Sequence, residues 1–366
     1  KVGNINLLEL YHGPTLAFKD IAMQVIGNIY DYLKVSENKV VNIIVATSGD
    51  TGAAAISALN DRKNINVFVL HPYNKISNIQ RKIMTTIGSI NIFNIAVQGS
   101  FDDCQKIVKD MFNENEFREK INMSGVNSIN WARIICQIVY YFYAAFKIGK
   151  QDISFAVPTG NFGDIYAGYM AKKMGLPINK LIVATNENDI LQRVINTGEY
   201  RPDKVKPSLS PSMDIQISSN FERLLFDVVG QNDKKVNLLM KNLSEKGFFK
   251  LNQEELKVIQ KDFCAEKIND KEILSIIKNL DSESNFVLDP HTATALGAVK
   301  KIGNLSKTIV LGTAHPYKFL ETVKKATGKD VNLPPQLSNI VDKEEKFDIV
   351  ENNISKIKNY ILEKII

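Results

Sequence analysis

Short runs of β-branched and other apolar residues alternate with helical segments along most of the chain. Because buried parallel strands are apolar on both faces, and because helices join consecutive runs, this alternation predicts an α/β fold with parallel sheets. The predicted strands are "VVNIIVAT" (40–47), "INVFVLH" (65–71), "NIFNIAVQG" (91–99), "ISFAVPTG" (153–160), "KLIVATN" (180–186) and "KTIVLGTAH" (307–315).

A first helix is predicted from Pro14 onward. Lys19 falls on the border of its apolar stripe, and spacing alone leaves two interpretations: a lysine whose stem covers apolar surface, or a functional amine. The stripe recurs at three- and four-residue spacing and comprises Phe18, Ile21, Ala22, Val25, Ile26, Ile29, Tyr30 and Leu33.

Four other segments complete the pattern. The run "WARIICQIVYYFYAAF" is too short to span a bilayer comfortably and predicts a buried amphipathic helix. Residues 187–215 are rich in Pro, Ser, Asn and Asp and predict a long loop, residues 218–285 are predicted as helical, and the tail from Lys343 predicts a surface helix.

Composition narrows the class of protein. A chain of 366 residues with 44% hydrophobic and 23% charged residues suggests two globular domains. The net charge of +6 comes from scattered lysines, so we expect neither a nucleic-acid nor a membrane partner. Three distant cysteines and four histidines lack disulfide or metal spacing, which predicts no metal and a cytoplasmic location.

Three predicted strands end in small polar loops that open helices: "ATSGDTG" (46–52), "PTGNFGD" (158–164) and "LGTAHP" (311–316). Ligands of parallel sheets bind beyond the carboxyl ends of strands, and a glycine loop at a helix N-terminus can hold an anion. Neither glycine loop fits the P-loop or the dinucleotide pattern. A phosphate site together with an activated Lys19 suggests pyridoxal phosphate.

The chain resembles the long, bacterial and fungal type of pyridoxal-phosphate-dependent threonine synthase. The resemblance runs through essentially all 366 residues, although a segment that precedes the lysine motif in this family is expected to be lacking. The motifs that carry it appear in order: "ELYHGPTLAFKD", "ATSGDTGAAA", "SINWARIICQIVYYF", "VPTGNFGDIYAGYMAKKMGLPI", "SMDIQISSNFERLLF", "LDPHTATALG" and "GTAHPYKF".

The resemblance implies the tryptophan-synthase-β type of fold, called fold-type II among these enzymes. It implies a large cofactor-binding domain, residues 1–37 plus 151–366, and a small mobile domain, residues 38–150. A monomer or a homodimer is expected.

The resemblance also implies cofactor contacts. Lys19 would form the Schiff base with pyridoxal phosphate, Thr313 would face the pyridine nitrogen, and Asp50 would lie beside the 3′-oxygen. An alternative for Thr313 is a hydroxyl that caps the helix at Pro316. Backbone N–H groups of Gly160, Asn161, Phe162, Gly163 and Asp164 would bind the cofactor phosphate.

The substrate contacts implied by the family involve two further segments. Arg133 would bind the substrate phosphate, with an exposed helix-surface ion pair as the alternative, and Lys318 would assist. His12 and Asp20, which flank the lysine motif, are expected to support it structurally. The remaining candidates are Thr47, Ser48 and Thr51 in the "TSGDTG" loop and Asn127 and Ser128 in "NSINWAR".

The implied reaction converts O-phospho-L-homoserine and water into L-threonine and phosphate. Two alternatives stay open from the sequence. One is a related phospho-lyase or a serine or threonine dehydratase that releases a 2-oxo acid. The other is a catalytically silent binding protein on the same fold, which the retained Lys19 and loops argue against.

Overall fold

Two five-stranded parallel sheets organise the computed structural model, which describes residues 1–37, 39–149, 152–303, 307–340 and 342–365. The chain divides into two units. Unit 1 comprises Lys1–Leu10 and Ile134–Val331, and unit 2 comprises Tyr11–Arg133 and Asn332–Ile366. The α/β fold with parallel sheets that the apolar runs predict is confirmed.

The predicted domain boundaries at 38, 150 and 151 fall on residues outside the described ones, so that assignment stays a prediction. The observed units differ from it, since residues 11–37 and 332–366 belong to unit 2.

The strands are short, and most of them lie where apolar runs occur in the sequence. In chain order they are β1 Asn6–Glu9, β2 Val41–Ala46, β3 Ile65–Pro72, β4 Ile92–Gln98, β5 Met123–Ser124, β6 Ile153–Pro158, β7 Ile178–Thr185, β8 Glu199–Tyr200, β9 Phe249–Lys250, β10 Phe263–Lys267, β11 Thr308–Gly312 and β12 Asp348–Glu351.

The helices connect these strands. In chain order they are α1 Lys19–Glu37, α2 Asp50–Leu59, α3 Asn78–Thr85, α4 Phe101–Asn113, α5 Asn115–Lys120, α6 Trp131–Ile148, α7 Gly163–Lys173, α8 Ile190–Thr197, α9 Phe221–Val228, α10 Asp233–Lys246, α11 Gln253–Asp262, α12 Asp270–Ser284, α13 Pro290–Ile302, α14 Leu320–Thr327 and α15 Ile354–Lys364. Among the described residues, short 3-10 helices occupy Pro211–Met213, Pro316–Phe319 and Pro335–Leu337.

Unit 1 contains the sheet β1-β11-β6-β7-β10, whose strands all pair in parallel. Its core contains Ala156 of β6, Ile182 of β7 and Val310 of β11, packed with Leu296 and Val299 of α13. Because the strands of this sheet are all parallel, their carboxyl ends lie along one edge of it, and the polar loops follow there.

Unit 2 contains the sheet β12-β4-β3-β2-β5, also entirely parallel. Its core includes Phe68 and Leu70 of β3 and Val97 of β4, and two fully buried residues of α15, Ile357 and Ile361, complete it. The tail forms the predicted helix, but one side of that helix is buried rather than exposed. The tail adds an edge strand and a helix whose apolar side lies in the core.

Several predicted bounds were also wrong. The first helix begins at Lys19 rather than near Pro14, because residues 11–18 form turns with Leu16 in a left-handed conformation. Strand β10 interrupts the segment predicted as helical, and α8 lies inside the predicted 187–215 loop. The predicted stripe of α1 is only partly buried, since Val25, Ile29 and Leu33 are exposed.

The apolar run at α6 forms a helix as predicted, but it is not wholly buried. Ile135, Val139, Tyr143 and Phe146 recur at helical spacing and are all exposed. The opposite side, which includes Ile134, Tyr141 and Ala144, is buried. The predicted amphipathic helix is therefore confirmed, but its exposed side is apolar rather than polar.

Within the described ranges, no helix has the length and apolar character needed to cross a membrane. No group of metal-ligating side chains occurs in the same part of the chain. Cys104, Cys136 and Cys264 are free thiols.

The buried face of α15 predicts that the tail stabilises unit 2. Replacing Ile361 by alanine should lower the free energy of unfolding by about 2–4 kcal/mol, because the substitution leaves a cavity in the core. Denaturant unfolding measures the change. Ile349→Ala on β12 is the matched control, because that side chain is 50% exposed and its loss should cost far less. Equal losses would mean that α15 does not contribute to the core.

Candidate active site

The predicted site residues divide between the two units. Unit 1 contains residues 160–164, Thr313 and Lys318, and unit 2 contains residues 47–51 and 127–133 together with Lys19.

Lys19 and Asp50 lie together in unit 2. The Lys19 ammonium (Nζ) lies 3.4 Å from Oδ2 of Asp50, and their side chains are 12% and 5% exposed. Nζ also lies 4.7 Å from the centroid of the Phe18 ring. A lysine at the first residue of a helix opposes the helix dipole, so a nearby carboxylate offsets an unfavourable position. Lys19 is thus a largely buried, ion-paired amine rather than a snorkelling surface lysine.

The turn before Lys19 is held by Asp20. Its carboxylate accepts hydrogen bonds from the backbone N–H of Thr15 at 2.9 Å and from the Thr15 hydroxyl at 2.6 Å. His12 is exposed, and its carbonyl accepts a hydrogen bond from Gln336. Asp20 therefore has the structural position expected from the sequence.

The 47–51 loop joins β2 to α2 and is braced by Thr47. The buried Thr47 hydroxyl accepts hydrogen bonds from the backbone N–H groups of Gly49 and Gly52, both at 2.9 Å. Gly49 has φ +137°, a conformation that L side chains rarely adopt. Ser48 and Thr51 are half-buried, and Asp50 is the first residue of α2. The loop therefore has a defined shape that places Asp50 beside Lys19.

The 127–133 segment forms a turn at the start of α6. The Asn130 side chain accepts a hydrogen bond from the backbone N–H of Ala132, and its amide donates to the carbonyl of Gly125. Arg133 is 4% exposed, and its Nη1 donates to the carbonyl of Val126 at 3.1 Å. The alternative of an exposed surface ion pair for Arg133 is therefore wrong. Asn127 and Ser128 are half-buried in the same turn.

In unit 1, the 160–164 segment joins β6 to α7. Among the described residues, the backbone N–H groups of Gly160, Asn161, Phe162 and Gly163 donate no hydrogen bond to another protein group. Phe162 has a left-handed conformation and packs its ring against Phe221. A Cβ at Gly160 would lie 3.0 Å from the carbonyl oxygen of Ser212, so glycine allows this close approach. The segment presents a row of N–H groups at a helix N-terminus, which suits an anion.

The Asp164 carboxylate is held inside unit 1 by two tyrosines of α6. Its Oδ1 accepts hydrogen bonds from the hydroxyls of Tyr140 at 2.5 Å and Tyr141 at 2.9 Å. Burial raises the pKa of Tyr141 well above its ordinary value, so this phenol stays a donor. The carboxylate is thus bound to α6 rather than to the N–H groups of its own segment.

Thr313 follows β11 and is placed by the start of α13. Its backbone N–H donates to the Thr292 hydroxyl at 3.2 Å, and Thr292 in turn donates to Asp289, which caps α13. The alternative that Thr313 caps the helix at Pro316 is wrong, because His315 is that N-cap. Within the described residues, the Thr313 hydroxyl has no protein hydrogen-bond partner, which leaves it available to a ligand.

Asp289, the N-cap of α13, is also linked through hydrogen bonds to the loop beside the 160–164 segment. Asp289 lies 3.0 Å from Nδ1 of His291, whose Nε2 accepts a hydrogen bond from the backbone N–H of Ser212 at 3.3 Å. This pattern assigns the His291 proton to Nδ1. Because Ser212 contacts the Gly160 backbone, the start of α13 fixes both Thr313 and the loop beside Gly160.

Asp214 organises the loop that contains Ser212. Its carboxylate accepts hydrogen bonds from Asn186, Asn188 and Ser208 at 2.6–2.9 Å. Burial is the largest influence and raises the pKa of Asp214, while these donors act in the opposite direction. Much of the predicted long loop is therefore a fixed structure.

Lys318 lies in the short helix after Thr313. Its side chain is fully buried, and its backbone N–H donates to the carbonyl of His315. A fully buried lysine is rare in proteins. Lys318 is therefore a candidate for a structural role as well as for contact with the substrate.

Sequence reasoning missed several residues that shape these sites. The Asp289-Pro290 pair carries a helix-start signal, an N-cap followed by proline, and could have been found. Tyr140, Tyr141 and Gln80 carry no local signal, because their partners are distant in sequence.

These features fit a cofactor that carries an aldehyde and a phosphate. Unit 2 holds a largely buried lysine amine beside a carboxylate. Unit 1 holds the free row of N–H groups at 160–163 and the available Thr313 hydroxyl. Pyridoxal phosphate requires an amine for its aldehyde and donors for its phosphate.

Comparisons with known proteins agree with this chemistry. Residues 3–312 match the pyridoxal-phosphate-dependent enzyme family, and residues 292–361 match the C-terminal region of threonine synthase. Threonine synthase from Pseudomonas aeruginosa is 46% identical over 98% of this chain and 78% of its own length.

Two solved structures are similar over the same extent, 98% of this chain and 78% of theirs. They are a threonine synthase with bound pyridoxal phosphate from Brucella melitensis (TM-score 0.94, 44% identity) and the threonine synthase from yeast (TM-score 0.91, 41% identity). The chain therefore belongs to the threonine synthase family of pyridoxal-phosphate-dependent enzymes.

Proposed function

We propose that the chain converts O-phospho-L-homoserine and water into L-threonine and phosphate. Family membership gives the cofactor, pyridoxal phosphate, and the reaction class, the last step of threonine biosynthesis. The choice of substrate and the role of each residue are our proposal. The observation that carries it is the largely buried pair of Lys19 and Asp50, an amine placed for covalent chemistry.

Lys19 is the proposed catalytic residue. Pyridoxal phosphate, when bound, supplies an aldehyde that condenses with amines and a ring that withdraws electrons from the substrate α-carbon. Lys19 would hold the cofactor through Nζ, and the same amine, when free, would be the base for the Cα proton of the substrate. Oδ2 of Asp50, 3.4 Å away, orients this amine and stabilises it when it is protonated.

The proposed cofactor contacts in unit 1 follow from its donors. N–H groups of residues 160–164 bind the phosphate, supported by the positive end of the α7 dipole. The Thr313 hydroxyl would serve the pyridine nitrogen and, as a neutral group, would leave that nitrogen unprotonated. Asp164 acts through its backbone only, because its carboxylate is bound to the two tyrosines.

The proposed substrate contacts lie in two segments of unit 2. Ser48 and Thr51 contact the amino-acid portion, while Thr47 and its hydroxyl brace the loop. Arg133 binds the substrate phosphate, because a guanidinium matches the geometry of phosphate oxygens. Asn127 and Ser128 support it from the preceding turn, and Lys318 of unit 1 is a further proposed phosphate contact.

Two alternatives to threonine synthesis are a lyase or dehydratase that releases a 2-oxo acid and a catalytically silent protein. Release of a 2-oxo acid would identify the first of them. Buried Arg133 favours a phosphorylated substrate over free serine or threonine, and the Lys19–Asp50 pair argues against a silent protein. We also propose a cytoplasmic enzyme, active as a monomer or a homodimer.

Turnover of O-phospho-L-homoserine by the purified chain tests the proposed function. We expect equal amounts of threonine and inorganic phosphate, measured by amino-acid analysis and a phosphate assay. Formation of 2-oxobutyrate and ammonia would instead identify a lyase that releases a 2-oxo acid. Absence of any product from a protein that binds the cofactor would identify a silent relative.

Replacement of Lys19 by alanine should abolish the covalent link while leaving some non-covalent cofactor binding. The wild-type protein should show a visible absorption band that borohydride reduction removes and fixes as mass on Lys19. The variant should lack the band and lose about a thousandfold or more in kcat. Lys109→Ala, at an exposed position of α4, is the matched control and should behave as wild type. A band that persists in Lys19→Ala would assign the link to another lysine.

Replacement of Arg133 by alanine should raise KM for O-phospho-L-homoserine by about tenfold or more, because a charged hydrogen bond to phosphate is lost. The dissociation constant of the cofactor should change far less. Arg118→Ala is the control, since Arg118 also donates to a backbone carbonyl, that of Phe112. If KM and the dissociation constant of the cofactor rise by similar factors in Arg133→Ala, the residue has a structural role only.

A further inference from the structure

Gln80 is a buried glutamine of α3 that contacts the 47–51 loop. Its side chain is 4% exposed, and its Nε2 donates to Oδ1 of Asp50 at 3.1 Å. The other amide atom, Oε1, accepts a hydrogen bond from the Ser77 hydroxyl at 3.0 Å. Ser77 is the N-cap of α3 and also accepts from the backbone N–H of Gln80. Both ends of the amide therefore have partners.

The orientation of this amide follows from its partners. An ionised carboxylate can only accept hydrogen bonds, so the NH₂ group must face Asp50. The Ser77 hydroxyl then supplies the donor for Oε1. Asp50 uses one oxygen for Gln80 and the other for Lys19, at 3.1 Å and 3.4 Å. Ser77, Gln80, Asp50 and Lys19 form one continuous series of polar contacts.

Gln80 also fixes the backbone next to Asp50. A Cβ built on Gly49 would lie 2.7 Å from Nε2 of Gln80, so the loop and the amide are in close contact. The Thr47 hydroxyl holds the other side of Gly49. Rotation of the Asp50 carboxylate away from Lys19 would break the hydrogen bond to Gln80.

Helix α3 is itself anchored independently of Gln80. Arg81 forms two hydrogen bonds to Glu345, at 2.8 and 2.9 Å, and Thr85 donates to the same carboxylate. At the end of the helix, Asn94 donates to the carbonyl of Met84 at 3.1 Å. Loss of the Gln80 amide should therefore leave α3 in place and affect mainly Asp50.

We propose that Gln80 is a positioning residue for the reaction: it holds the Asp50 carboxylate so that Oδ2 faces the amine of Lys19. This inference rests on the proposed roles of Lys19 and Asp50. The Gln80 amide bonds to Oδ1 of Asp50, not to the Lys19 amine, so Gln80 acts on that amine through Asp50. Misplacement of a reacting group by a fraction of an ångström is enough to slow catalysis strongly.

Gln80→Met tests the proposal, because it keeps the length of the side chain and removes the amide. We expect visible-band formation on addition of pyridoxal phosphate to slow by about tenfold or more, and kcat to fall by a similar factor. KM for O-phospho-L-homoserine should change less than threefold, since the Arg133 segment is untouched. Gln80→Glu presents a carboxylate to a carboxylate and should slow band formation at least as much.

Asn94→Leu is the matched control. It removes another buried amide hydrogen bond of the same helix without touching Asp50. Thermal unfolding of both variants reports any loss of stability. If Asn94→Leu destabilises the protein as much as Gln80→Met but forms the band at the wild-type rate, loss of stability does not explain the effect. A slow band in both variants would overturn the positioning role.

A double-mutant cycle decides whether Gln80 acts through Asp50. In the Asp50→Ala background, Gln80→Met should not change the rate of band formation further. An undiminished effect in that background, or a wild-type rate in Gln80→Met alone, would overturn the inference. A wild-type chain that forms the band without turnover would refute the proposed substrate only, whereas a chain that forms no band would refute both proposals.

Discussion

The buried carboxylate of Asp50 is the constraint on which the rest of unit 2 depends. A carboxylate removed from water needs charged or hydrogen-bonding partners, and Asp50 has both, the Lys19 ammonium and the Gln80 amide. Its position at the start of α2 is also favoured by the helix dipole, whereas that of Lys19 at the start of α1 is not. Asp50 thereby fixes the relative positions of α1, α2 and α3.

Unit 1 uses a second buried aspartate in a similar way. Asp289 caps α13 and bonds to Thr292 and His291, and these two residues reach the backbones of Thr313 and Ser212. A single capped helix start thus sets the geometry of two loops that follow different strands. In both units, the functional groups are placed by aspartates at helix N-termini rather than by the sheets alone.

The sequence predicted the central strands well, because β2, β3, β6 and β7 are apolar on both faces and lie between helices. It failed for β10 and β12, whose charged residues resemble those of the neighbouring helices. The sequence "FCAEK" of β10 has only Phe263 and Ala265 buried, and β12 is largely exposed at the edge of its sheet. Edge strands lack the apolar signal of central ones, so their pairing could not be predicted locally.

The sequence predicts candidate site residues that belong to one continuous motif. It does not predict those whose partners are distant along the chain. Lys19 and the 160–164 segment belong to continuous motifs, whereas Gln80 lies thirty residues from Asp50 and no periodicity links the two. The cofactor role of Thr313 stays a prediction, whereas the alternative role as a helix cap belongs to His315, two residues later. Long-range hydrogen bonds between buried polar groups become visible only when the fold brings their atoms together.

The acidic residue in "GNFGD" shows how such long-range contacts keep backbone N–H groups available at a helix N-terminus. An aspartate in the first turn of a helix could bond to the N–H groups beside it and so compete with an anionic ligand. In this protein the hydroxyls of Tyr140 and Tyr141 bind the Asp164 carboxylate instead, and burial keeps Tyr141 protonated. The N–H groups at 160–163 stay available. The two tyrosines thus let an acidic residue stand at the start of α7 without bonding to the N–H groups beside it.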